Sequence, residues 1–380
     1  MKVISTERLP IKMWLDDIED GALAQAKDLA NLFFAKKWIA IMPDSHQGYG
    51  MPIGGVMATD GVIVPNAVGV DIGCGMIAAK TTLLEIDIEE VKKIMGRIRE
   101  IVPVGFSHNQ EPQNWSGFDN APDIKIIQQE LDSARKQLGT LGGGNHFIEI
   151  QQSNEGHIWL MIHSGSRNFG FKTAKEYHNK AKELCEQWRS DIPNLDLAFL
   201  PMETQDGKDY YEAMKYCLLF AEASRALMME KSINIVQEIT GCHVMEKVNI
   251  HHNYAAFEHH YGKNVIIHRK GATKATEGLK GIIPGSMGTN SYIVEGLGNP
   301  ESFMSCSHGA GRKMGRKQAK KDLKLEIEQK RMGGIVHGLR NESKLDEAPG
   351  AYKDIDTVME NQSDLVKIVV KLKPLGNIKG

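Results

Sequence analysis

Residues 68–75 read VGVDIGCG and run directly into a β-rich stretch at 76–80. The loop carries a carboxylate and a thiol, Asp71 and Cys74, three residues apart, which a plain turn would not need. Gly69, Gly73 and Gly75 permit the tight bend that aims both side chains at one point. The same grammar recurs in PDSHQGYG (43–50), GGGNHF (142–147), HSGSR (163–167), HHN (251–253), HRKGAT (268–273), PGSMGTNS (284–291) and SHGAGR (307–312). Any one of these clusters could be a turn. Eight of them, most following a β-rich run, read as one composite site built from loops at strand ends.

Outward from these loops, helical spacing appears at Leu23, Ala26, Ala30 and Phe33, at Ile88, Val91, Met95, Ile98 and Val102, and at Ala174, Tyr177, Ala181, Leu184 and Trp188. A longer helical stretch covers about 209–239. Short β-rich runs alternate with the helices at 38–42, 62–64, 158–162, 265–268, 292–294 and 366–372. The pattern predicts an α+β fold, one large mixed domain over residues 1–380, with sheets and flanking helices around a cleft. The helical stretch 172–239 is a candidate sub-lobe.

The 380 residues are 41% apolar and 25% charged, which excludes a disordered chain, and the length excludes a disulfide-stapled miniprotein. Five cysteines without a CxxC pair suggest neither a disulfide framework nor a zinc ribbon, and Cys185 and Cys217 sit in apolar helical patterns as small core residues. No run approaches the roughly 18 apolar residues of a membrane helix, and the start MKVISTERLP lacks a signal pattern, so a soluble cytoplasmic protein without membrane contact is expected. A net charge of −2 argues against a whole-molecule grip on nucleic acid. One local exception stands out: residues 312–331 carry nine Lys or Arg against three Asp or Glu. The bland reading of that run is a solvated helix face.

A lone histidine is more often a hydrogen-bonded core residue than a ligand. Here His146 follows three glycines, His163 ends an apolar run and His252 lies in VNIHHNY, each where a strand meets a loop. With Asp71 and Cys74 they make five donors, more than a closed structural zinc site uses, which suggests two ions or one ion with open positions. Ligand softness alone favours zinc. PGSMGTNS offers backbone N–H groups and hydroxyls for a phosphate or base, without matching a Walker A loop or a Rossmann fingerprint. In SHGAGRKMGR, His308 stands before a Gly-Ala-Gly turn expected to lead into a basic helix, with Arg312 and Arg316 one turn apart as an anion site. Chemistry alone leaves His308 open as general acid, metal ligand or phosphorus nucleophile.

In their order along the chain, VGVDIGCG, GGGNHF, HSGSR, HHN, PGSMG, SHGAGR, AYKDID and the terminal IKG resemble the RtcB family of RNA-splicing ligases over essentially the whole length. The resemblance implies a fold of that type around a central metal and GTP cleft. It implies two Mn²⁺ ions held by Asp71, Cys74, His146, His163 and His252, with the cysteine sulfur able to bridge. It makes His308 the nucleophile that becomes a GMP-histidine, with Asp44 of PDSH orienting its ring. The GTP contacts it implies are Asn145, His146, Phe147, Ile148 and Glu149; His252 and Asn253; Pro284, Gly285, Ser286, Met287 and Ser291; His308, Gly309, Ala310 and Gly311; and Tyr352 and Lys379. Arg167, Arg312 and Arg316 become candidates for RNA phosphate.

The implied activity is GTP-dependent joining of RNA 3′-phosphate or 2′,3′-cyclic phosphate ends to 5′-hydroxyl ends, in tRNA splicing or RNA repair. The alternative is a binuclear metallophosphoesterase that opens cyclic phosphate ends without ligation and has no use for His308 or Lys379. A third reading, an RNA-binding scaffold, needs only the basic run. The chain is shorter than many family members, and a helper protein has no mark in the sequence.

Overall fold

A computed structural model describes residues 1–380. Two mixed-length sheets dominate it. The first orders its six strands as Lys2–Ile4, Ile11–Met13, Ala35–Tyr49, Met51–Thr59, Lys263–Lys270 and Asn253–His260. The second orders seven as Val244–His251, Gly75–Thr81, Ile158–Ser164, Phe147–Ser153, Val366–Lys379, Ser291–Gly296 and Lys280–Ile283. Pairing is antiparallel throughout except where Ile11–Met13 runs parallel to Ala35–Tyr49. The expected mixture of α and β is found, and the seven β-rich runs fall in strands, except that the run at 62–64 is a strand only over Val62–Ile63.

Sheet register collects the glycine loops at one place. In the second sheet Gly75 pairs with both Ser164 and His251, and His163 pairs with both Met76 and Phe147. Cys74, His146, His163 and His252 therefore meet at one end of four neighbouring strands. Between Val244–His251 and Asn253–His260 the chain leaves the second sheet and enters the first, and His252 is the single residue of that crossing. A separate two-stranded ribbon, Ala272–Lys274 with Ser305–Ser307, brings His308 alongside.

The four helices expected from spacing are present as Asp20–Asn31, Ile88–Ile101, Arg167–Gln187 and Gln205–Thr240. Asp87 and Glu90 form a reciprocal capping box on the second of these, each side chain accepting from the other's backbone N–H. Thr204 caps the long helix at Gly207, and Gly241, at φ 70°, ends it in the left-handed conformation. This 36-residue helix shares two cores. Tyr210, Phe220 and their neighbours pack with Phe169, Tyr177, Ile39, Ile41 and Met57 of the first sheet's core. Met228, Met229, Ile233 and Val236 pack with Ile77, Ile148, Leu160 and Ile162 beneath the second. The stretch expected to form a sub-lobe thus contributes side chains to the cores of both sheets.

The basic run departs from expectation. It forms two seven-residue helices, Arg316–Asp322 and Leu325–Arg331, and Arg312 lies outside both. Arg312 instead makes an isolated bridge to Tyr352. The glycines at 309, 311 and 315 delay helix entry, so the two arginines are not one helical turn apart.

Adjacent residues of the long helix give a test of this packing. Phe220 is fully buried and Leu219 is 55% exposed. Phe220→Ala is expected to cost about 3–5 kcal/mol in urea unfolding, while Leu219→Ala stays within roughly 0.5 kcal/mol of the parent.

Candidate functional site

Cys74 occupies the centre of the site. Its Sγ lies 3.4 Å from His146 Nε2 and 3.2 Å from His163 Nε2, and His163 Nε2 is 3.0 Å from His252 Nε2. Asp71 Oδ2 approaches His146 Nε2 at 3.1 Å. The donors form two overlapping triplets, Cys74–His163–His252 and Asp71–Cys74–His146, joined through the sulfur. Gly165 makes the approach possible, since a Cβ there would stand 2.2 Å from Asp71 Oδ1.

The ring orientations fit a cation. His146 Nδ1 bonds to Leu141 O, His163 Nδ1 to Asn145 O and His252 Nδ1 to Asn253 Oδ1. Each Nδ1–H is thereby committed to an oxygen, which turns the Nε2 lone pairs inward. Lone pairs of two imidazoles 3.0 Å apart repel, and a shared cation resolves the repulsion. Burial first, and then neighbouring imidazoles, hold His163 and His252 well below the usual histidine range, so both are neutral donors. Burial and the charge of Asp71 push the Cys74 thiol well up, so the thiol has to give up its proton to a metal that binds there.

Behind this cluster lies a residue with no sequence motif, Arg225 of the long helix. Its fully buried guanidinium donates to Gly73 O at 2.8 Å, Ser164 O at 3.0 Å and Asn249 Oδ1 at 2.9 Å. It fastens the Asp71–Cys74 turn to the strand that carries His163.

His308 is held from the other sheet. Its Nδ1 donates to Asp44 Oδ2 at 2.6 Å and its backbone N–H to the same oxygen at 3.1 Å. Burial alone would raise the Asp44 carboxyl, but the imidazoles of His308 and His46 and the ammonium of Lys353 outweigh it and keep the carboxylate charged. With Nδ1–H fixed, His308 presents Nε2, and its ring centroid lies 4.6 Å from that of His252. Gly311, at φ 70°, lets the turn pass over Asp44, for a Cβ there would sit 2.0 Å from Asp44 O.

These groups open on one cleft of about 1010 Å³. Its walls include Asp71, Cys74, His163, His252, Asn253 and His308. Asn145, Phe147 and Glu149 form another part, and Pro284, Gly285, Ser286 and Met287 another. Gly309, Ala310, Gly311, Arg312, Arg316, Tyr352 and Lys379 complete the set of expected residues found there. Five do not line it. His146 and Asp44 lie behind the wall, and Ile148 points into the core beneath the second sheet because alternate strand residues face opposite sides. Ser291 is buried, accepting from Gly285 N at 3.2 Å and so bracing the PGSMG loop. Arg167 is also outside the cleft wall: it donates to Gly105 O at 3.2 Å and Thr140 Oγ1 at 3.3 Å, which makes it a clamp between two loops.

Glu347 is the main residue that the sequence did not flag. Buried, it accepts from the Tyr352 hydroxyl and from Arg316, from Arg312 at 3.3 Å and from Lys379 at 3.3 Å. Asp346 takes Arg316 at 3.1 Å and Lys320 at 3.4 Å. The basic run is therefore neither a plain solvated face nor a free anion fork. Its first arginines are docked on an acidic segment. That segment, ESKLDE at 342–347, reads in sequence as an ordinary surface turn. Lys270 is a second such residue: it lines the cleft, donates to the carbonyls of Tyr49 and Asn66, and is brought by burial to a pKa of about 7.

A mixed fold that joins a thiol–imidazole cluster to a carboxylate-held histidine in one cleft has the parts of a metal-assisted phosphoryl-transfer enzyme. The chain belongs to the RtcB family: residues 25–380 match the family model described as tRNA-splicing ligase RtcB. It is 40% identical to the RNA-splicing ligase RtcB of Escherichia coli K12, over the whole of this chain and 99% of the relative. The tRNA-splicing ligase RtcB of Pyrobaculum aerophilum is 31% identical over 98% of this chain and 95% of its own length. That alignment spans 463 positions, more than the 380 residues here, so the archaeal protein carries segments this chain lacks. The RNA-splicing ligase RtcB of Mycobacterium tuberculosis is 31% identical over 89% of this chain. No helix of the chain is long and apolar enough to cross a membrane.

Two measurements test the site. Cys74→Ala is expected to lose bound metal, read by elemental analysis after dialysis, whereas Cys217→Ala, which only trims a buried thiol, keeps its metal and costs about 1 kcal/mol. Glu149 supplies the pH test. Burial raises its carboxyl to about 7 against the lowering effects of Lys379, Asn377 and Gln151. A carboxyl whose folded pKa lies above its unfolded value adds stability that is complete below about pH 4.5 and lost as pH rises through about 7. Relative to Glu149→Gln, the nucleotide-free parent should therefore lose stability between pH 5 and pH 8, compared by urea midpoints at each pH.

Proposed function

We propose that this chain is a GTP- and Mn²⁺-dependent RNA ligase, acting as one domain over residues 1–380. It joins a 3′-phosphate or 2′,3′-cyclic phosphate end to a 5′-hydroxyl end through GMP-histidine and RNA(3′)pp(5′)G intermediates, in splicing or repair of cleaved RNA. The observation that carries this reading is the His308–Asp44 pair beside the Cys74 cluster. A buried carboxylate on Nδ1 leaves Nε2 as the free nucleophile, facing a site built to hold cations. Five buried free cysteines suit a reducing compartment such as the cytoplasm.

Any cyclic phosphate is first opened by water to a 3′-phosphate. His308 Nε2 then attacks the α-phosphorus of GTP, forming a P–N bond and releasing pyrophosphate. An oxygen of the RNA 3′-phosphate next attacks the same phosphorus, breaking the P–N bond and returning His308 free. The 5′-hydroxyl finally attacks the RNA phosphate, which forms the new diester and expels GMP. Asp44 holds the imidazole and offsets the positive charge it acquires on attack. Two divalent cations on Asp71, Cys74, His146, His163 and His252 would polarise phosphate oxygens when bound. The family relationship favours Mn²⁺ over the zinc that ligand softness alone suggests. The guanosine would lie against Asn145, Phe147 and Glu149, the 284–287 loop, Tyr352 and Lys379. Arg312 and Arg316 remain the candidates for RNA phosphate, now as members of the Glu347 network.

Incubation with α-labelled GTP and Mn²⁺, followed by a denaturing gel, should label the protein. The label should be labile in acid, stable in base and absent from His308→Ala, as a phosphoramidate requires. Label that survives the His308→Ala substitution would overturn the assignment, and a metallophosphoesterase would show none.

A further inference from the structure

Phe106 is fully exposed, on a loop that is otherwise tied down. Leu141 N donates to Pro103 O at 2.9 Å and Gly105 N to Gly142 O at 2.8 Å. Asn109 donates through its amide to Leu138 O at 2.8 Å, and Arg167 Nη2 donates to Gly105 O at 3.2 Å. An aromatic ring held out by so many backbone contacts is displayed by the fold. The backbone just before the ring stands next to the glycine run 142–144: a Cβ on Gly143 would lie 3.7 Å from Gly105 Cα, and one on Gly144 would lie 3.3 Å from Arg316 Nη2. Two residues further on, that run reaches His146 of the metal cluster.

We propose that Phe106 is a stacking platform for one unpaired nucleobase of the RNA, at the rim of the cleft between the Arg167 clamp and Arg316. This inference rests on the ligase reading of the cleft and names the part of the substrate that the rim takes. The four residues that follow the ring, Ser107, His108, Asn109 and Gln110, are all polar, so the loop does not extend it into a run of apolar side chains such as a protein interface uses. One exposed ring face is enough for a base, and stacking tolerates every base because each has a π-face.

The test uses the full chain and a single-stranded oligoribonucleotide with a 3′-phosphate, titrated by fluorescence anisotropy. Phe106→Ala should weaken RNA binding about tenfold, Phe106→Trp should retain it, and Phe106→Leu should behave like the alanine variant. A 2-aminopurine walked through the terminal positions should be quenched at one position by the parent and not by Phe106→Ala. Labelling of His308 from GTP without RNA should be equal in all four proteins. Unchanged affinity in Phe106→Ala overturns the proposal, and so does full recovery by Phe106→Leu, which marks a general apolar contact such as a protein partner. If the parent takes no label from GTP, the ligase reading fails, while the RNA titration still decides the role of Phe106.

Discussion

A guanidinium without an ion-pair partner holds the centre of this molecule together. Arg225 donates to the carbonyls of Gly73 and Ser164 and to Asn249, so one side chain on the long helix fixes the turn before one strand, the end of a second and the body of a third. Burial brings its pKa down to about 10, which still leaves it charged. A buried cation satisfied by carbonyl dipoles tolerates no slack, because each lost hydrogen bond would leave a carbonyl unpaired in a dry core. Helix position, sheet register and the spacing of the ligand loops are coupled through that one group.

The same coupling explains what the sequence could and could not disclose. The ligand loops were legible because their chemistry is local: Asp71 and Cys74 lie in one bend, and each histidine sits where a strand meets a loop. The helices at 88–101, 167–187 and 205–240 were legible from their 3.6-residue spacing. The pairing of 244–251 with one sheet and 253–260 with another was not, because a sheet crossing leaves no mark in alternation. Arg225 and Glu347 escaped for a related reason. Each looks like an ordinary charged residue on a helix or a polar turn, and each gains its role only from partners more than thirty residues away or in another element. The basic run misled in the opposite direction, since a one-dimensional charge count cannot show that Arg312 and Arg316 face Asp346 and Glu347.

Electrostatics divide the cleft into two regimes. Around Cys74 the imidazoles of His163 and His252 are neutral, so the positive charge there comes from Arg225 and Arg167 behind the ligands and not from the ligands themselves. Around Glu347 three cationic side chains and a phenol share one buried carboxylate, so the region has positive charge in excess. An anionic group entering the cleft is drawn toward the second regime. His308 stands where they meet.

The strand Val366–Lys379 lies in the middle of the second sheet, paired with Phe147–Ser153 on one side and Ser291–Gly296 on the other. Strands made earlier in synthesis therefore wait for a partner made after them. Until residues 366–379 have left the ribosome, the nascent chain displays two unfinished strand edges, and the cleft lacks Lys379 altogether. The order of translation thus withholds a finished cleft from the growing chain. Edges of that kind invite pairing with other chains, so rapid synthesis at high expression levels exposes this protein to aggregation before it has any chance to become active.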